Sequence, residues 1–105
     1  LDTFTTEEDL ILTRDGKLLA IDSRITHTKQ VTEGLEKQLD GLEEQAANQE
    51  RAGKSLTEEL LTQLASVNRQ IEEQMAFITS LQQEKIDLGA QFDADLVRYR
   101  MLKNN

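Results

Sequence analysis

The residues able to do chemistry are few and badly placed for it. His27 is the single histidine, and its neighbours Asp22, Thr28 and Gln30 make no ligand or proton-relay set. A lone imidazole on a helix is normally structural or solvated, so it does not point to acid–base work. Carboxylate pairs such as Glu43-Glu44 and Glu72-Glu73 are adjacent in sequence. On a helix, adjacent side chains diverge by about 100° and cannot share a proton or an ion. Arg51-Ala52-Gly53-Lys54-Ser55 resembles only the tail of a phosphate-binding loop. Such a loop needs a glycine five residues before the Gly-Lys-Ser and a strand leading into it; Asn48 holds that position, inside a helical run. There is no cysteine, hence no disulfide and no thiolate metal site. The sequence therefore predicts no enzyme activity, no cofactor and no metal.

What these residues sit on is more informative. The chain has 105 residues, no proline, 4% aromatic, 37% hydrophobic and 30% charged residues. That composition suits long helices with a thin core better than a globule or a set of strands. Disorder is the rival reading of such polarity, but regular apolar spacing over many turns opposes it. The net charge of −8 disfavours nucleic acid or an anionic membrane as principal partner. Arg98, Arg100 and Lys103 at the end read as cations favourable at a helix C-terminus. Glu33 with Lys37 and Glu50 with Lys54 have the spacing of ordinary surface ion pairs.

The organising stretch is Gln49–Leu56. Gly53 is suited to the left-handed conformation that ends a helix, and Ser55 with Glu58 has the spacing of a capping box that starts one. Stop and start together predict a tight helix–helix connection at 53–55, with arms over about 22–52 and 56–103. Before the bend the apolar positions are Ile11, Leu18, Ile21, Ile25, Leu35, Leu39, Leu42 and Ala46. After it they are Leu56, Leu60, Leu64, Val67, Ile71, Met75, Ile78, Leu81, Leu88, Phe92, Leu96 and Tyr99. Folding about residues 52 and 53 pairs Ala46 with Leu56, Leu39 with Leu64, Ile25 with Ile78, Ile21 with Leu81 and Ile11 with Phe92. Phe4 then lands near Tyr99, while Thr28 and Thr32 face Met75 and Ile71. Polar seam residues of that kind set register at some cost in stability.

Residues 1–21 admit more than one reading. Thr5 and Thr6 before Glu7, Glu8 and Asp9 form a good helix start, which either runs through Gly16 or stops there as a short helix, yet Asp15-Gly16 between apolar runs is also a β-hairpin signal. The seven-residue phase through Ile11, Leu18 and Ile25 favours helix. An isolated two-stranded hairpin would be marginal in water.

The predicted fold is all-α: an antiparallel two-helix coiled-coil hairpin, paired into a four-helix bundle in a homodimer. The pairing follows from apolar residues beyond the needs of a two-helix seam. Leu10 and Leu12 straddle Ile11, Leu19 widens the same stripe, and Phe77, Leu61, Ile86 and Val97 flank the second. Leu10, Leu12, Leu19, Phe77, Ile86 and Val97 are thus the expected partner-binding residues. The expected function is a non-enzymatic, self-associating spacer, stalk or adaptor. Clamping of a client helix at the open end is the alternative, and membrane-surface contact through Leu10, Leu12 and Phe4 is the weakest option. No stretch is apolar enough to span a bilayer. The chain begins at Leu1 instead of a methionine, as a fragment or processed form does, and the sequence names no compartment.

Overall fold

In the computed structural model, which describes residues 6–104, the chain forms two helices and, among those residues, no strand. Helix α1 runs Glu7–Arg51 and α2 runs Glu58–Lys103. They pack as an antiparallel all-α hairpin. The expected contact of Phe4 with Tyr99 lies outside the described residues.

Local chemistry sets each end. Thr6 caps α1: its Oγ1 accepts from the Asp9 amide at 3.0 Å, and its carbonyl accepts from the Leu10 amide. Glu7, Glu8 and Asp9 place negative charge in the first turn, where the helix dipole favours it. Asp15 and Gly16 then continue as helix, which removes the β-hairpin alternative for this stretch. At the far end Gly53 takes φ 74°, the Lys54 amide donates to the Gln49 carbonyl, and the Gly53 amide donates to that of Glu50. These two bonds are a Schellman motif, satisfying carbonyls the helix would otherwise leave open.

The start of α2 differs from expectation. Thr57, not Ser55, is the cap: its Oγ1 accepts from the Leu60 amide at 3.1 Å and its carbonyl from that of Leu61. Ser55 and Leu56 lie in the connection. With Lys54 held by the Schellman bond, the chain uses Ser55 and Leu56 to turn, and Thr57 is the next residue with a capping hydroxyl.

The hairpin divides into two compact units, Leu1–Thr26 with Thr79–Asn105 and His27–Ile78. In the first, Leu10, Ile21, Ile25, Leu81 and Phe92 are buried, and Lys17 Nζ lies 5.6 Å from the centre of the Phe92 ring. Leu81, only 1% exposed, is its tightest point. In the second, Ala46, Leu60 and Val67 are buried together with Thr28 and Thr32. The Thr32 hydroxyl donates to the Thr28 carbonyl at 2.8 Å, so this side chain enters the seam without an unmet hydrogen bond. Met75, expected in the seam opposite Thr28, is instead 56% exposed. Nearby Gln70 and Gln74 are half-buried.

Cross-helix ion pairs fix the register of the first unit. Glu7 pairs with Arg100, and Asp22 with Lys85 at 2.8 Å. Both steps are fifteen residues on their own helix, so one ladder describes the unit. The expected pairs Ile21–Leu81 and Ile11–Phe92 would have set Asp22 beside residues 80 and 81. The observed register is therefore displaced by about one helical turn. The later start of α2 moves its stripe the same way. Apolar steps of three and four tolerate a one-turn slip, because it lays one leucine row against another.

Candidate interaction surface

Of the six expected partner-binding residues, five are exposed. Leu12 is 62% exposed, Leu19 67%, Ile86 63%, Val97 55% and Phe77 42%. Leu10 is the correction: at 3% exposed it belongs to the intramolecular seam, not to an outer face. The cause is the helical period. Each seven-residue step falls about 20° short of two full turns, so two steps back from Ile25 carry Ile11 about 40° off the seam. Leu10 lies three turns, eleven residues, before Ile21 and stays on the stripe. Ile11 and Leu18 are accordingly only half-buried.

Within the first unit Leu12 and Leu19 stand one heptad apart on α1. Ile86 and Val97 stand eleven residues, three turns, apart on α2. Each pair forms one row. Acidic and basic side chains border these rows: Glu8, Asp15 and Asp93, the Asp22–Lys85 bridge, and Arg100 held by Glu7. Arg14 lies 3.1 Å from Asp15. Beyond these rows Met101 and Leu102 are also exposed. The second unit exposes Val31, Leu61, Met75 and Phe77. Counting turns at 100° per residue from Leu81 places Met75, expected in the seam, off it, and Met101 likewise.

Comparison with known protein families, curated proteins and solved structures gives no match.

Among the described residues, no three His, Cys, Asp or Glu side chains stand close enough together to hold a metal ion. His27 is exposed on α1. Lys54 closes the Schellman turn and Ser55 follows it, with helix and not strand leading in. No helix among the described residues is long and apolar enough to cross a membrane. What the surface offers chemically is exposed apolar area with charged side chains at its rim.

Proposed function

We propose that this chain is a non-enzymatic interaction module, a helical hairpin that pairs with a second copy into a four-helix bundle and serves as spacer, stalk or adaptor. One observation carries the reading. Among the described residues eight hydrophobic side chains are buried, while ten large ones remain exposed. Scattered exposed leucines are ordinary, but rows of them at helical spacing mark association. Full burial of such a side chain is worth roughly 1.5–3 kcal/mol. Leu12, Leu19, Ile86 and Val97 are a little over half exposed. Each therefore has about 1–2 kcal/mol left to gain, or about 8–16 kcal/mol for the eight in a dimer. Association costs about 4–15 kcal/mol, so a dimer of useful stability is within reach.

Sedimentation across a hundredfold dilution series tests this. A dimer that persists supports it; a monomer throughout refutes it.

A second reading, capture of a helix from another protein, is favoured by Met75 and Phe77, both exposed in the His27–Ile78 unit. Methionine adapts its shape to varied partners. That reading requires a dilutable monomer that gains helicity on meeting its client.

A further inference from the structure

We infer that the face carrying Leu12, Leu19, Ile86 and Val97 receives a second copy of this chain about a twofold axis parallel to the helices, so that α1 of each copy lies against α2 of the other. This rests on the self-association reading and adds to it the face, the axis and the register.

The four residues share one side of the unit. Asp22 and Lys85 pair across one edge of the seam, and Arg24 and Glu84 across the opposite edge at 3.9 Å. Take about 100° per residue. Going round α1 from Ile25 past Asp22, a further 60–80° reaches Leu19 and Leu12; going round α2 from Leu81 past Lys85, a further 100–120° reaches Ile86 and Val97. All four thus lie on the Asp22–Lys85 side, and all are exposed.

Heights follow from the ion-pair ladder. With Glu7 opposite Arg100 and Asp22 opposite Lys85, Leu12 stands level with Asp95 and Leu19 with Leu88. Val97 and Ile86 are each two residues from those levels, about 3 Å along the axis. A twofold axis parallel to the helices leaves heights unchanged, so the ladder within one copy also holds between copies. Leu12 of one copy then meets Val97 of the other, and Leu19 meets Ile86, each contact occurring twice by symmetry. Every neighbouring pair of helices is antiparallel, as in an up-down-up-down bundle.

Charge supports the same axis. Glu8 stands one residue from the level of Arg100, and Asp22 stands level with Lys85, so acid faces base near both ends of the apolar patch. A perpendicular twofold axis inverts heights. To superpose the apolar rows it must set Leu12 against Leu19, which leaves Glu8 beside Ser23 and loses these matches. The parallel axis has one unfavourable contact: Asp15 stands within a residue of the level of Asp93, so like charges meet at mid-face.

The absence of cysteine makes thiol mapping clean. Full-chain Leu12→Cys mixed with a size-tagged Val97→Cys should be joined by a short bis-maleimide. Leu19→Cys with Ile86→Cys should be joined equally well. Leu12→Cys with Leu19→Cys should link no better than an Arg24→Cys control on the opposite edge. Asp93→Lys should tighten the dimer several-fold, because it replaces a like-charge contact with an opposite one. Preferred linkage of 12 to 19 within an intact dimer, or a weaker dimer from Asp93→Lys, overturns the axis and leaves self-association standing. A chain monomeric at every concentration overturns both.

Discussion

Leu81→Ala tests the seam where it is tightest. Leu81 is 1% exposed, in the unit that also buries Ile21, Ile25 and Phe92. The substitution removes three methylene equivalents, a transfer loss of about 2.4 kcal/mol at about 0.8 each. A residual cavity adds to this, and comparable substitutions span about 2–5 kcal/mol. A two-helix seam is open to solvent along both edges, so its neighbours can relax inward and the cavity term is small. The expected cost is therefore about 2.5–3 kcal/mol. Leu102→Ala is the control: Leu102 is 69% exposed and lies outside the apolar rows, so only about a third of the transfer term applies, about 0.7 kcal/mol. Urea unfolding followed by helical circular dichroism measures both, at one fixed protein concentration because association adds to apparent stability. With a slope of about 1–1.5 kcal/mol per molar, the Leu81→Ala midpoint should fall by about 2 M. A midpoint within about 0.5 M of the parent, or a fall no larger than that of Leu102→Ala, would show that burial at this seam is not what holds the helices together.

Two further outcomes follow from the helix ends. Thr57→Ala should cost about 1 kcal/mol by the same urea assay while Ser55→Ala changes little, because the Thr57 hydroxyl holds the Leu60 amide; equal costs would place the cap elsewhere. Among the described residues Gln49 Oε1 is buried with no hydrogen-bond partner. Gln49→Met should therefore raise stability by about 1 kcal/mol, since it removes an unmet acceptor at similar volume. A loss of stability on that change would mean the amide is satisfied in solution.

The cross-helix ion pairs have a different role. Lys85 and Asp22 are each nearly half exposed, and the Arg24–Glu84 pair more so. Exposed pairs of this kind are worth about 0–1 kcal/mol. They contribute alignment: a one-turn slip keeps leucines against leucines but moves Asp22 away from Lys85.

Much of this architecture was legible in the residues themselves. The absence of proline, the apolar steps of three and four, the acidic start at Glu7 and the glycine at 53 all act within a few residues of chain. Their effects do not wait on the rest of the fold. Helix through Asp15-Gly16 was legible in the periodicity, and Thr28 and Thr32 were recognisable as seam positions. Exposure of Leu12, Leu19, Ile86, Val97 and Phe77 followed from angular position. The errors have separate origins. Leu10 falls inside because heptad counting drifts on a helix of 3.6 residues per turn. Met75 falls outside because steps of four accumulate angle away from Leu81. The facing rows stand one turn out of step because α2 starts at Thr57. The cap at Thr57 was missed because Ser55-x-x-Glu58 satisfies the local pattern equally well.

By itself, then, the sequence determined two helices, a reversal at Gly53 and an apolar surplus over what one seam can hide. Each is a matter of backbone preference and composition. Only the tertiary structure decided which leucines face inward and which residue on α2 stands opposite each residue on α1. Those choices differ by a turn of helix and a few tens of degrees. They are settled by where Thr57 starts α2 and by Asp22 and Glu7 reaching Lys85 and Arg100 across the seam.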